Sequence, residues 1–536
     1  MAQARELGVT GTIAAAAPTI APPQFEWSLL SPMLLVFGAA LVGVLIEAFA
    51  PRDLRRPIHV MLTLGSLAGA FVLTVILAAT NPIFNGGRPG SVVAVGTVGV
   101  DRPTLFVQGT IIVLAFVSVL LLAESVHEVN AFTPQAAAVP GSAEEREGLL
   151  AGAAHTEVYP LTLFAVGGML LFPAANDLLT MFIALEVLSL PLYLLCGLAR
   201  RRRLLSQEAA MKYFLLGAFS SAFFLFGVAM LYGYAGSVRL SAIATAAQSG
   251  TASATLLYAG IALLGLGLLF KIGAVPFQAW KPDVYQGSPT PVTALMASCT
   301  LVAGFGALLR VFFVAFGQLT WDWRPAMWGV SILTMLVGSV IAITQTDVKR
   351  LLAYSSIAQA GYILTGVTAA NTAGLSGSLF YLAAYGFATI GAFAIVTLVR
   401  DQGGEAAHLS SWAGLGKRSP LVAGAFALFL IAFAGIPLTS GFTGKFAVFQ
   451  AAIEGGATPL VIIGVISSAI LAFPYVRVIV LMFFSEPAPE GPVVVRPSAY
   501  TSLAVGVGAL ATVVLGIVPQ PLLDLANHAA SQLFVR

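Results

Sequence analysis

The chain has 536 residues, of which 58% are hydrophobic and 9% are charged, and its mean hydropathy is +0.93. An ordinary soluble domain has about 25% charged residues, so this composition excludes a soluble globular protein and indicates a membrane protein. The formal net charge is only +3, and the arginines lie in short segments between apolar runs, which excludes a basic surface for nucleic acid.

Apolar runs long enough to cross about 30 Å of hydrocarbon recur along the chain. After an N-terminal extension over residues 1–27, they predict an all-α polytopic membrane protein with about fourteen transmembrane helices. The predicted spans are 28–49, 59–79, 103–123, 158–174, 178–198, 209–234, 254–276, 290–316, 326–345, 351–370, 374–399, 420–450, 457–484 and 500–518.

Two of the predicted spans contain a proline that is expected to break the helix, because proline removes a backbone hydrogen bond. The seventh, with GLLFKIGAVPFQAW, contains Pro276, and the twelfth, with FAGIPLTSGFTGKF, contains Pro437. Broken helices at corresponding positions of two halves are typical of inverted-repeat transporters. We therefore predict two inverted five-helix repeats, at 158–316 (helices 4–8) and 326–484 (helices 9–13). The remaining predicted segments are 28–157, with helices 1–3 and an acidic loop, and 500–536, with helix 14 and the C-terminus.

Positive residues follow the odd-numbered spans, and Lys and Arg in short loops favour the cytoplasmic side of a membrane. With an even number of spans, this pattern predicts that both termini lie on the outer face of a bacterial plasma membrane. The residues concerned are Arg52, Arg55, Arg56, Arg200 to Arg203, Lys349, Arg350, Arg400, Lys417 and Arg418. The acidic loop at 124–157 is expected to be solvated, with a contact to a partner as an open alternative.

Cys196 and Cys299 are the only cysteines, and each lies in an apolar run without a CxxC partner. This spacing does not provide the ligands of a zinc site or an iron–sulfur cluster. The sequence also lacks a GxGxxG motif after a strand and a Walker A motif. We therefore predict buried, inert thiols and no cofactor or metal on this chain.

Two charged residues lie in the fifth and sixth predicted spans. Glu186 is near the middle of TMFIALEVLSLPLYLLCGL, where a charge costs about 3 kcal/mol on insertion scales. This cost favours a proton-handling role over that of a protonated structural glutamate. Lys212 is near the cytoplasmic start of its span, where it can either extend toward water or form an ion pair with Glu186.

Two further lysines accompany the broken helices. Lys271 lies beside the first break, where a lysine can exchange a proton and an arginine cannot. The alternative role for Lys271 is to anchor backbone carbonyls freed by the break. Lys445 follows the second break and is the predicted counterpart of Lys271, with an interfacial anchor as the alternative. Arg310 and Arg477 are expected to be fixed structural charges.

Four segments resemble the proton-pumping antiporter-like family of respiratory complex I: KYFLLGAFSSAFFLFG, FKIGAVPFQAWKPDVYQGSPTPVTALM, TQTDVKRLLAYSSIAQAGY and AGIPLTSGFTGKF. The resemblance covers about residues 158–484. It implies a membrane-arm subunit of a proton-pumping NADH:quinone oxidoreductase, in contact with lipid and with other membrane-arm subunits. It also implies that FMN, the iron–sulfur clusters, NADH and quinone are bound by other subunits. The matched relay residues are Glu186, Lys212, Lys271 and Lys445.

Two positions depart from the family pattern. Leu301 stands where the family usually has a lysine in helix eight, and Gln278 replaces a histidine of close relatives. A leucine does not relay a proton, so a non-pumping structural spacer is one open alternative. The other is a cation/proton antiporter subunit of the Mrp type, a relative that shares the broken helices and the buried lysines. Water or polar side chains would have to bridge the gap, and the candidates are Ser298, Thr300, Tyr381 and Tyr385.

Overall fold

The structure is a computed structural model that describes residues 26–81, 90–124, 131–132, 142–144, 147, 155–199, 202–250, 253–401, 404–487, 491–531 and 534–535. The predicted N-terminal extension, apart from its last two residues, lies outside the described residues. So do Arg200, Arg201 and most of the predicted acidic loop.

Helices make up nearly all of the described chain, as predicted for an all-α membrane protein. In chain order they are α1 (Trp27–Phe49), α2 (Arg52–Thr80), α3 (Arg102–Leu122), α4 (Val158–Leu171), α5 (Leu178–Cys196), α6 (Arg203–Ala235), α7 (Leu240–Ser249), α8 (Ala254–Ile272), α9 (Trp280–Gly287), α10 (Thr290–Ala315), α11 (Thr320–Thr344), α12 (Val348–Ala369), α13 (Thr372–Leu398), α14 (Leu415–Arg418), α15 (Pro420–Ala434), α16 (Ser440–Glu454), α17 (Thr458–Phe484), α18 (Ala499–Ile517) and α19 (Gln520–Ser531).

Five short strands lie between the helices. An antiparallel hairpin of β1 (Gly90–Val93) and β2 (Val98–Asp101) precedes α3. A second, three-stranded antiparallel sheet has the order β4-β3-β5, with β3 (Val399–Asp401), β4 (Gly404–Glu405) and β5 (Val493–Val494). These strands connect helix ends, and β2 is buried along its whole length.

Within the described residues, eleven helices are long and apolar enough to cross a membrane. Two further apolar helices, Val158–Ala174 and Pro420–Ala434, are shorter, and the predicted total of fourteen spans stays a prediction. The most hydrophobic stretches of α10 and α13 are 100% and 94% buried, whereas that of α18 is only 22% buried. The centre of the bundle is therefore formed by α10 and α13. Helices of similar hydropathy thus pack against protein in some cases and face the lipid in others.

Helices α5 and α12 begin with the same N-terminal cap. Each has an aspartate N-cap, Asp177 or Asp347, whose carboxylate accepts hydrogen bonds from the backbone N–H groups two and three residues later. Each aspartate also forms an isolated antiparallel bridge with a later loop, Asp177 with Arg239 and Asp347 with His408. This matched pair of helix starts supports the predicted division into two repeats.

The two helices begin on opposite faces of the bundle. Helix α5 runs from Asp177 toward Arg202, whose guanidinium donates to the backbone carbonyl of Glu405 at 3.3 Å. Glu405 lies three residues before His408, the bridge partner of Asp347. The start of α12 is thus near the end of α5, which is the inverted relation predicted for the repeats.

The two predicted helix breaks are confirmed. Helix α8 ends before Gly273, which has φ +72°, and α15 ends before Gly435, which has φ +80°. Glycine adopts this left-handed conformation without the steric cost that a Cβ imposes. Pro276 and Pro437 follow within the breaks, and the half-helices α9 and α16 continue each span.

Arg310 and Arg477 occupy fixed structural positions. Arg310 is fully buried and forms an ion pair with the equally buried Asp101, with 2.7 Å between Nη2 and Oδ2. Arg477 donates to the carbonyl oxygens of Ile343 and Gln345 at 2.9 and 2.6 Å, at the end of α11. These guanidinium groups anchor the frame around the broken helices.

Candidate functional site

Three lysines are buried around the two helix breaks. Lys271, at the end of α8, is 3% exposed, and Lys445, in α16, is 5% exposed. Lys281, the second residue of α9, is 1% exposed and is not among the site residues predicted from the sequence. Buried cations at such depth are costly unless they are paired or hydrogen-bonded, so the partners of these lysines define what each one can do.

Lys271 is held by side-chain hydroxyl groups. Its Nζ donates to Ser189 Oγ at 2.9 Å and to Tyr213 OH at 3.2 Å. The Tyr213 ring stacks on Trp280 with 4.7 Å between centroids, so its hydroxyl is firmly placed. Neither partner of the lysine is a backbone carbonyl, and the alternative of an anchor for carbonyls freed by the break is not supported.

Glu186 lies on α5, one turn before Ser189, and is half-buried. It is close enough to Lys271 for its charge to act on the ammonium group. Its Oε1 atom is buried and has no hydrogen-bond partner among the described residues. The neighbouring Ile183 and Leu190 are 57% and 49% exposed, so this carboxylate lies close to an outward-facing stripe of α5.

The predicted ion pair between Lys212 and Glu186 is wrong. Lys212 Nζ lies 2.6 Å from Glu208 Oε1 and 2.7 Å from Asp283 Oδ2, and its side chain is 40% exposed. Asp283 also pairs with Arg350, at 2.6 Å. The pair with Glu208 has the i,i+4 spacing of neighbours on one helix face, a signal that was present in the sequence. Lys212 therefore belongs to a partly solvated charge cluster at the start of α6.

Lys445 has a partner for each of its three N–H donors. Its Nζ donates to the carbonyl oxygens of Phe433 and Ala434, both at 2.9 Å, and to Ser468 Oγ at 2.8 Å. It also lies 4.6 Å from the centre of the Tyr362 ring. The two carbonyls belong to the end of α15, where a helix leaves acceptors unpaired and favours a cation. Lys445 thus closes the second break.

Lys281 lies across the first break, although its Nζ donates to a serine hydroxyl and not to backbone carbonyls. A Cβ built on Gly273 would lie 2.5 Å from Lys281 Cδ, and a Cβ built on Gly435 would lie 2.8 Å from Lys445 Cδ. Each lysine therefore lies across the glycine of its own break. In its placement across a break Lys281 resembles Lys445, and the predicted correspondence between Lys445 and Lys271 stays a prediction. The signal in the sequence is a lysine in each second half-helix, in WKPD and in TGKF.

The four polar residues considered as bridges divide into two kinds. The hydroxyls of Ser298 and Thr300 donate to backbone carbonyls of their own helix, at 2.7 and 2.6 Å, and are thereby occupied. Tyr381 instead donates to the side-chain oxygen of Gln359, and Tyr385 lines a small cavity beside it. Only the tyrosines therefore contribute to a polar connection between helices.

That connection reaches the partners of Lys445. The side-chain nitrogen of Gln359 donates to the carbonyl oxygen of Phe433 at 2.9 Å, and Lys445 contacts the same oxygen. Beside it lies a cavity of about 10 Å³, lined by Gln359, Tyr381, Tyr385, Phe433, Ser440 and aliphatic residues. The buried hydroxyl of Ser440 has no partner among the described residues. This volume is the minimum that holds one water molecule, and most of the cavity wall is apolar.

Comparison with known proteins relates the chain to membrane subunits of respiratory complexes. The family described as NADH:quinone oxidoreductase/Mrp antiporter, transmembrane, matches residues 175–471. A protein of Rhodococcus opacus named NADH-quinone oxidoreductase subunit N is 64% identical over 539 residues, covering 97% of this chain and 98% of that protein.

Two solved structures extend this likeness to three dimensions. A chain of respiratory complex I from Thermus thermophilus with bound aureothin is 31% identical, with a TM-score of 0.74 and coverage of 92% of this chain and 99% of that chain. A chain of the Mrp complex from Dietzia has a TM-score of 0.79 at 22% identity, covering 95% of this chain and 97% of that chain. The second likeness concerns the fold alone.

Proposed function

Because the chain belongs to the family of NADH-quinone oxidoreductase subunit N, we propose that it is a membrane-arm subunit of a proton-pumping NADH:quinone oxidoreductase. We further propose that it carries protons through four of its residues. The observation that supports this most directly is a lysine at a helix break, held by two hydroxyls and within electrostatic reach of a carboxylate. The four proposed relay residues are Glu186, Lys212, Lys271 and Lys445.

Lys271 is the central exchanging group. Its partners, Ser189 and Tyr213, are neutral hydroxyls, so loss of a proton from Lys271 leaves no unpaired anion in direct contact with it. A carboxylate at Glu186 stabilises the ammonium form by charge, and protonation of Glu186 removes that support. Proton exchange at Lys271 is therefore governed by the charge state of Glu186.

Lys212 and Lys445 serve the two ends of the path. Lys212, in its partly solvated cluster with Glu208 and Asp283, supplies protons from the face where the positive loops gather. Lys445, at the second break, delivers them to the other face. This direction accords with the proposed orientation, in which both termini lie on the outer side and the two inverted repeats share the path.

The energy comes from outside this chain. Moving one charge against 100 mV costs about 2.3 kcal/mol, and we assign its source to redox chemistry in other subunits, which bind NADH, FMN, iron–sulfur clusters and quinone. No cofactor is assigned to this chain. The half-buried Glu186, beside the outward-facing stripe of α5, is suited to sense the charge state of a neighbouring subunit.

The test is proton uptake per NADH oxidised, measured in membrane vesicles that contain the whole complex. Lys271→Ala and Glu186→Gln are each expected to lower this ratio at normal complex abundance. Lys417→Met is the matched control, because Lys417 is half-exposed and pairs with Glu486 at 2.6 Å, away from the breaks. A ratio that survives both variants would favour a structural spacer. Proton pumping by the isolated, reconstituted chain would contradict the assigned energy source.

A further inference from the structure

Lys281 is a buried cation whose charge is poorly compensated. Its Nζ donates to Ser356 Oγ at 3.0 Å and lies 5.9 Å from the centre of the Tyr285 ring. An ammonium group has three N–H donors, and no other hydrogen bond or ion pair of this group occurs among the described residues. Lys445, by contrast, has all three donors satisfied. With the same placement over a break, the Lys281 ammonium thus has fewer hydrogen-bond partners than the Lys445 ammonium.

The partner of Lys281 occupies the position that Glu186 has in the first repeat. Ser356 lies nine residues after the N-cap Asp347, and Glu186 lies nine residues after the N-cap Asp177. At 1.5 Å per residue, both side chains are about 14 Å from the start of their helices, near the middle of a 30 Å hydrocarbon layer. Lys281 therefore meets the second repeat at the depth where Glu186 acts on Lys271.

Ser356 also lies near the polar groups that lead to the second break. The hydroxyls of Tyr285 and Tyr385 both lie near its side chain, beyond direct hydrogen-bond distance. Tyr385 lines the cavity of about 10 Å³ that also borders Gln359 and Phe433. Gln359 and Lys445 both donate to the Phe433 carbonyl oxygen, so the cavity beside Tyr385 lies next to the partners of Lys445.

We propose that Lys281 is a further proton-relay residue, which links Lys271 to Lys445 through the hydroxyl of Ser356. This inference rests on the proposed function of the chain. Lys281 as a neutral amine takes up the proton that Lys271 releases, forming an N–H bond as the Lys271 N–H bond breaks. The Lys281 ammonium then gives a proton to Ser356 Oγ as the Ser356 hydroxyl proton passes to the Tyr385 hydroxyl oxygen, and the Tyr385 hydroxyl proton passes across the cavity to Lys445 as a neutral amine. Lys281, Ser356 and Tyr385 end in their starting states, Lys271 has lost one proton, and Lys445 has gained one.

The experiment measures proton uptake per NADH oxidised in vesicles that contain the whole complex. The ratio of the Lys271→Ala variant serves as the reference. Lys281→Met is expected to lower the ratio to the level of that reference. Lys281→Arg keeps the positive charge and the donor to Ser356 but does not release a proton at accessible pH, so it is expected to lower the ratio equally. A wild-type ratio in Lys281→Arg would show that the charge alone suffices and would overturn the relay role.

Ser356→Ala keeps the experiment decisive if the Lys281 variants fail to assemble, because it removes only a hydroxyl. It is expected to lower the ratio, and a wild-type ratio would overturn the proposed link. Ser331→Ala is the matched control, since Ser331 is also buried and its hydroxyl donates to the Gly361 carbonyl at 2.9 Å, outside the path. If Lys271→Ala lowers the ratio while the Lys281 and Ser356 variants do not, the inference fails and the proposed function remains.

Discussion

The buried ion pair between Arg310 and Asp101 allows a quantitative prediction about stability. Arg310→Met replaces the guanidinium by an apolar side chain and removes the donors to Asp101 Oδ2 at 2.7 Å and to the Pro173 carbonyl at 2.6 Å. Removing one partner of a buried pair costs about 3–5 kcal/mol, because the other charge stays buried without compensation.

The expected loss lies at the lower end of this range, at about 3 kcal/mol, because Asp101 retains other donors. Its carboxylate still accepts hydrogen bonds from the backbone N–H and hydroxyl of Thr104, at 3.0 and 2.5 Å, and from the N–H of Val535 at 3.0 Å. The double variant Arg310→Met with Asp101→Asn removes the stranded charge and keeps an acceptor. It is expected to recover about 1–2 kcal/mol of the free energy of unfolding.

The assay is denaturant unfolding of the chain in mixed micelles, followed by tryptophan fluorescence. Arg324→Met is the control, since Arg324 is half-buried and donates to the carbonyl oxygens of Thr368 and Gly455, so its loss strands no carboxylate. A free energy of unfolding for Arg310→Met within about 1 kcal/mol of the wild type would contradict the cost assigned to the stranded carboxylate. So would a double variant that is no more stable than the single one.

Two further predictions concern the breaks and use proton uptake per NADH as the readout. Gly435→Ala places a Cβ 2.8 Å from Lys445 Cδ at φ +80° and is expected to displace the lysine and lower the ratio. Gly236→Ala has a similar backbone strain at φ +66° but open space around the Cβ, so an equal loss there would contradict this explanation. Tyr213→Phe removes the 3.2 Å hydrogen bond to Lys271 and leaves the bond to Ser189, so a partial loss is expected. An unchanged ratio would show that Lys271 does not need this hydroxyl.

Much of the frame could be predicted from the sequence, because helix length and proline leave clear patterns. The predicted span at 178–198 agrees with Leu178–Cys196, and the breaks after Ile272 and Ala434 lie where the prolines indicated. The predicted spans at 290–316 and 374–399 also agree closely with α10 and α13, but the sequence did not indicate that these two helices are buried at the centre of the bundle. Hydropathy is the same for a helix that faces protein and one that faces lipid.

The site was predicted less completely, because partners depend on how half-helices fold back. Lys212 lies near Glu186 in neighbouring spans, yet its partners are Glu208 one turn away and Asp283 from α9. Lys281 follows a break by only eight residues, a position that looks interfacial when depth is counted along the chain. The fold-back over Gly273 instead buries it in the middle of the bundle.

The pocket around Arg310 also has a consequence for biosynthesis. Val535 donates to Asp101 from 434 residues away, and the Phe534 ring lies 4.8 Å from the Arg310 guanidinium. Helices α3 and α10 are translated long before these two residues. The pocket around the Arg310–Asp101 pair therefore receives its last contacts only after α18 and α19 have been translated.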